Sequence, residues 1–178
     1  MHDLLRIFVS ASAILLEGTD EQLDVPGAEK AVASFWSHLR TFPHQVLRTA
    51  EELLDEPGSS QVSAHPNEKR WLKAIIDELG APADRSMMSV DDAWKTVVHA
   101  IAWFGFCLKE SASYASESDY GMEGFASICD MVERAASEAQ TMFVAGVTEA
   151  VLQFEAAAVA NRRIAEAYDE MMSYAAAV

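Results

Sequence analysis

The stretch Ser89–Leu108 reads SVDDAWKTVVHAIAWFGFCL. Trp94, Val97, Val98, Ile101, Phe104 and Leu108 recur every three or four positions, the spacing that lines up side chains on one face of an α-helix. Ser89, followed three residues later by Asp92, resembles a capping box with Asp in place of Glu, so the helix opens there. From Val97 to Leu108 the one polar side chain is His99. A helix apolar on all sides is surrounded by other elements, which makes this one central to its fold. His99 is then expected to be a core histidine bonded to a neighbouring carbonyl rather than a catalytic group.

Working outward, the helical period recurs almost everywhere and strict alternation is scarce, so the fold class is all-α. A first helix spans about Asp3 to Glu17, with Leu4, Ile7, Phe8, Ala11, Ile14 and Leu15 on one face and Gly18 placed to stop it in a left-handed conformation. Pro26-Gly27 opens a second, with a stripe of Ala28, Ala31, Val32, Phe35, Trp36 and Leu39. Pro43 starts a third, carrying Val46, Leu47, Ala50, Leu53 and Leu54 and ended by Pro57-Gly58. Pro66 suits the first turn of a fourth, which holds Trp71, Leu72, Ile75, Ile76 and Leu79 before Gly80.

From Tyr120 onward there is no proline, and Phe125, Ile128, Val132, Ala135, Ala139, Met142, Gly146, Ala150, Phe154, Ala157, Ile164, Tyr168 and Met171 keep helical phase. One helix or two fits this segment, with continuity favoured and Gly146 the best place for a break. The expectation is a bundle of six or seven helices, one domain over residues 1–178, with a long C-terminal helix or helical hairpin. A continuous helix there would run about 80 Å at 1.5 Å per residue, and its stripe would exceed what a monomer of this size covers. A homodimer through the C-terminal helix follows as an expectation.

Lys and Arg total 13 against 28 Asp and Glu, a formal charge of −15. That charge repels phosphate backbones and anionic lipid headgroups, so nucleic acid and membrane are poor partners and a basic protein is a good one. No uncharged run reaches the roughly 18 to 20 residues of a membrane span. The apolar run Ile7–Leu16 follows Asp3 and precedes Glu17-Gly18 without a small-x-small cleavage pattern, so it reads as mature sequence. Cys107 and Cys129 sit on apolar stretches and read as buried free thiols of a reducing, cytoplasmic location.

Motifs for chemistry are scarce. The histidines at 2, 38, 44, 65 and 99 lack the spacing that puts two metal ligands on one helix face, and no nucleotide-type glycine loop or nucleophile elbow is present, so no cofactor is implied. Asp130 with Glu133, and Glu166 with Asp169, are spaced to share helix faces. Their arrangement resembles the carboxylates of all-helical nucleotide pyrophosphohydrolases, with Asp-x-x-Glu where those have Glu-x-x-Glu first. The resemblance implies Mg²⁺ held against nucleotide phosphates. A solvated acidic helix face explains the same residues. Trp103-Phe104-Gly105 carries the letters of the hairpin-bend motif of small secreted helical dimers, but it falls inside the apolar run, where no turn is signalled.

The segment Glu110 to Glu133 contains Glu110, Glu117, Asp119, Glu123, Asp130 and Glu133 without one Lys or Arg. Tyr114 and Tyr120 stand among these acids, and tyrosine anchors interfaces because it offers large area at little rotamer cost. A second acidic linker, Thr19 to Asp24, is a candidate to pair with the basic cluster Lys69, Arg70 and Lys73. The function expected from these features is that of a small acidic binding protein, such as an inhibitor, immunity protein or adaptor, that masks a basic surface of a partner. Its contact residues would be Glu110, Tyr114, Glu117, Asp119, Tyr120 and Glu123. The alternatives are a Mg²⁺-dependent nucleotide hydrolase built on Asp130, Glu133, Glu166 and Asp169, and a structural homo-oligomer.

Overall fold

The computed structural model describes residues 1–19, 21–55, 62, 65–81, 87–111, 119–155 and 162–175; the side chains of 150–155, 162–165 and 168 are outside the description. Among the described residues there are eight helices and no strand: α1 His2–Glu17, α2 Val25–Leu39, α3 His44–Asp55, α4 Glu68–Leu79, α5 Val90–Ser111, α6 Asp119–Arg134, α7 Ser137–Glu155 and α8 Arg162–Ala175. The all-helical class holds. The Pro57-Gly58 stop falls outside the described residues.

The centre of the bundle is a pair of helices. α5 packs against α1, α2, α3, α6, α7 and α8, as its all-round apolar sequence requires. Its capping box forms: Ser89 Oγ accepts from the Asp92 backbone N–H at 3.1 Å and donates to the Asp92 carboxylate at 2.7 Å. His99 donates from Nε2 to the Gly146 carbonyl at 3.1 Å, which ties α5 to α7.

α1 is the other central element, and here the one-faced reading fails. All twelve residues from Leu4 to Leu15 are buried, Arg6, Ser10 and Ser12 among them, because α2, α3, α4, α5, α6 and α7 surround it. Phe8 stacks on Phe104 of α5 with centroids 5.9 Å apart, and Phe35 of α2 meets Phe104 edge-on at 5.5 Å. The polar atoms on α1 are mostly provided for. Arg6 Nε lies 2.7 Å from Glu68 Oε1 of α4, with its N–H aimed off the oxygen, so the contact is an ion pair more than a directed hydrogen bond. Arg6 Nη1 also donates to the Val62 carbonyl at 3.4 Å. Ser12 donates to the Phe8 carbonyl and accepts from Trp36 Nε1. Ser10 Oγ has no partner among the described residues.

Gly18 ends α1 in extended backbone, φ −67° and ψ 152°, and not in the left-handed region. Its value lies in space: a Cβ at this position would run into the Leu23 side chain and come within 3.2 Å of the Tyr120 ring.

The C-terminal third departs furthest from expectation. It forms three helices, and its last, α8, is short. Gly146 is not a break but lies inside α7, where an added Cβ would sit 2.8 Å from Val98 Cγ1, so glycine there lets α7 approach α5. The break falls instead at Ala135-Ala136, between residues with no turn chemistry of their own. Two side chains make it, one distant in sequence and one from the first turn of α7. The Asp3 carboxylate accepts from the Ala136 N–H at 2.8 Å, and Gln140 Nε2 donates to the carbonyls of Val132 and Glu133 at 3.3 and 2.7 Å. The first satisfies a donor at the start of α7, and the second satisfies the Glu133 carbonyl at the end of α6 and adds to the Ala135 N–H that Val132 already accepts.

α7 and α8 pack on each other, and the Thr148 hydroxyl meets the Met172 sulfur across them. Of the stripe that invited a second copy, Phe125, Ile128, Val132, Ala135, Ala139 and Met171 are covered within the chain, Met142 is partly covered, and the side chains of Ala150, Phe154, Ala157, Ile164 and Tyr168 lie outside the described residues. The single continuous helix on which the length argument for a homodimer rested is not formed. No helix among the described residues is long and apolar enough to cross a membrane.

Two stability outcomes follow from these polar atoms. Gln140→Leu keeps the volume but takes its donor from the Glu133 carbonyl, while Val132 keeps the Ala135 N–H, and should lower unfolding free energy by about 1 kcal/mol in urea titrations. Ser10→Ala removes a buried hydroxyl without a partner and should raise it by about 1 kcal/mol; a destabilised S10A would mean that the hydroxyl is bonded.

Candidate functional site

Along α2, Asp24, Gly27, Ala28, Ala31 and Ser34 share one face; along α5, Trp103, Phe106, Cys107 and Glu110 do the same. These faces oppose each other. Those of α2 are mostly small and those of α5 mostly large, and the helices leave an open cavity of about 540 Å³ between them, closed at one side by Phe35. Its walls are mainly apolar: Trp103 and Phe106 pack with ring centroids 5.4 Å apart, and both stay half-buried. Asp24, Lys30 and Glu110 supply the charge along its lining.

Asp24 has a structural task as well, since its carboxylate accepts from the Gly27 N–H at 3.3 Å and caps α2. Cys107 faces the cavity as a free thiol. Burial, with the Asp24 charge adding to it, pushes its pKa up to about 12, so at neutral pH it is a protonated, poorly nucleophilic group. Cys129 is likewise pushed up to about 12, by burial and then by Glu170.

The cavity belongs to an acidic end of the bundle. Tyr120, at the start of α6, donates its hydroxyl to the Ile14 carbonyl near the end of α1 at 2.8 Å, and its ring lies beside Gly18. That contact brings α6's first turn against the turn between α1 and α2, while Asp24 and Glu110 share the cavity lining. The two acidic stretches of the sequence thus converge. Glu21, Asp24, Asp119 and Glu123 are exposed there and Glu110 is partly exposed. Lys69, Arg70 and Lys73 form no ion pair with Glu21 or Asp24 among the described residues. Arg70 instead lies over the Trp71 ring, 5.2 Å from its centroid.

Of the residues expected to contact a partner, Glu110, Asp119 and Glu123 lie at this end, and Tyr114 and Glu117 lie outside the described residues. Tyr120 is half-buried and committed to Ile14. Its hydroxyl is thereby tied into the scaffold; burial first, and the Glu17 charge second, raise its pKa.

The four carboxylates of the hydrolase reading are not gathered. α6 and α8 pack together, yet Asp130 pairs with Arg134 one turn along its own helix at 2.8 Å, and Glu133, Glu166 and Asp169 are exposed. Among the described residues, no three His, Cys, Asp or Glu side chains come close enough to hold a metal ion. Sequence reasoning missed the groove because Phe35 fits the stripe of α2, and because Trp103 and Phe106 fall in a run of α5 that reads as enclosed on all sides, whereas both are only half-buried. The available signal was that α5 carries apolar residues on every side while the facing stretch of α2 offers mainly Gly, Ala and Ser.

Glu17, at the end of α1, accepts from Trp71 Nε1 at 2.5 Å and from Asn67 Nδ2 at 3.0 Å, with His65 Nε2 at 3.8 Å. Burial alone would raise its pKa. The bonds from Trp71 and Asn67, with the charges of His65 and Arg70, outweigh burial and hold it below 4.5. A carboxyl depressed on folding contributes stability that is fully present above its unfolded value and is lost as pH falls through the folded value. Glu17→Gln should therefore narrow the gap in urea midpoint between pH 6 and pH 3, while a gap equal to wild type would exclude Glu17 from the acid response. No known protein family, curated protein or solved structure matches this chain.

Proposed function

We propose that this chain is a non-catalytic binding protein, an inhibitor, immunity protein or adaptor, that masks a basic surface of a partner protein in the cytoplasm. The observation that carries the reading is the convergence of two acidic stretches, far apart in sequence, on one end of a rigid helical scaffold. Exposed Glu21, Asp119 and Glu123 stand there together. In a chain of formal charge −15, such an end produces a potential that draws a basic surface in from a distance and repels anionic ones. The free thiols Cys107 and Cys129 suit a reducing compartment.

The test begins with capture of partners from native lysate by the tagged chain, washed at low and at high salt, beside an Asp119→Lys/Glu123→Lys variant. A stoichiometric basic partner should be held by wild type at low salt and released at high salt. The variant should associate with it about tenfold more slowly at low ionic strength, with the difference closing as salt screens the field. Equal association rates for the two chains would remove the acidic end from the interaction.

A further inference from the structure

We propose that the groove between α2 and α5 binds a small hydrophobic cation, an ammonium ion carried on an aliphatic or aromatic body. The inference stands on the cavity itself and is separate from the binding of a protein at the acidic end.

Size comes first. The cavity holds about 540 Å³, within the range of roughly 300–1,000 Å³ in which proteins bind small molecules. Its walls settle the body of the ligand. Trp103 and Phe106 of α5 and Phe35 of α2 are half-buried and contribute aromatic surface, and Ala28 and Ala31 of α2 are too small to fill the space facing α5. A molecule seated there removes apolar area from water on both sides, which favours binding.

Charge settles the head. Two carboxylates, Asp24 and Glu110, line the cavity against one ammonium, that of Lys30. The local balance is negative and the field of the whole chain adds to it. Trp103 and Phe106, tilted to each other, both line the cavity, and aromatic rings attract cations through their quadrupoles, more strongly once water is displaced. An anionic head would meet the same carboxylates and ring faces as repulsion. The Cys107 thiol, protonated at neutral pH, adds no competing charge to the lining.

The probes are decyltrimethylammonium, decyl sulfate and decanol, each titrated below its micellar concentration into the full chain by calorimetry and tryptophan fluorescence. Wild type is expected to bind one decyltrimethylammonium saturably, with an affinity at least tenfold above that for decyl sulfate and above that for decanol. Ala31→Phe, which grows a ring into the cavity from α2, should weaken all binding at least tenfold. Glu110→Gln removes one of the two carboxylate charges at nearly unchanged volume and should shrink the preference for the cation over the sulfate severalfold. Equal affinities for the three probes, binding untouched by both substitutions, or no saturable binding would each overturn the proposal. Asp119→Lys/Glu123→Lys should bind the cation within a factor of about three of wild type, so failure of the acidic-end reading and failure of this one leave different traces.

Discussion

Twelve consecutive residues of α1 are shut away from water, and most of what surrounds them follows from that enclosure. A helix with no solvent face must place its polar atoms against protein, because a buried unpaired group costs about 1–3 kcal/mol and an unpaired charge more. Arg6 fixes the position of α4 through Glu68. Ser12 takes the indole of Trp36 from α2. At the far end, where the last carbonyls of any helix lack intrahelical partners, Ile14 takes the hydroxyl of Tyr120 from α6. At the near end, Asp3 reaches the start of α7. α1 is thus an apolar rod whose few polar atoms orient the helices around it.

The acidic end and the groove are by-products of the same arrangement. Tyr120 ties α6's first turn to the end of α1, and Gly18 lets Leu23 and Tyr120 close in on the turn that leads to α2. With those helices pinned, acids read as two separate linkers stand together. α2 meets α5 through Gly27, Ala28, Ala31 and Ser34, residues too small to cover the aromatic face opposite. Close helix packing needs ridges that fill grooves, and here a ridge is missing.

Much of this architecture was legible. Ser89 and Asp92, Pro26, Pro43 and Pro66 mark helix starts by local chemistry that neighbours do not override, and the all-round apolar run of α5 announced a central helix. Two features were hidden for one physical reason. The break at Ala135-Ala136 is made by Asp3 and by Gln140, side chains supplied from outside the turn, so alanines that favour helix end one helix and begin another. The depth of α1 was equally silent. Its Arg and Ser residues imitate a solvent face, and only their partners, Glu68 and Trp36, reveal otherwise. The candidate surface was half legible: the acids were visible as composition, but their convergence depends on Tyr120, which reads as an exposed anchor and serves as a strut.

The link from Asp3 to Ala136 spans 133 residues of sequence, and that from Ile14 to Tyr120 spans 106. During synthesis α1 leaves the ribosome ahead of every helix that encloses it, and its enclosure is incomplete until α5, α6 and α7 have followed α2, α3 and α4. At about 5–20 residues per second, that interval is on the order of ten seconds. Contacts so distant in sequence also demand costly loop closure before they return any stabilisation. The helix buried along twelve consecutive residues in the finished molecule is therefore the one that waits longest for its full set of neighbours while the chain is being made.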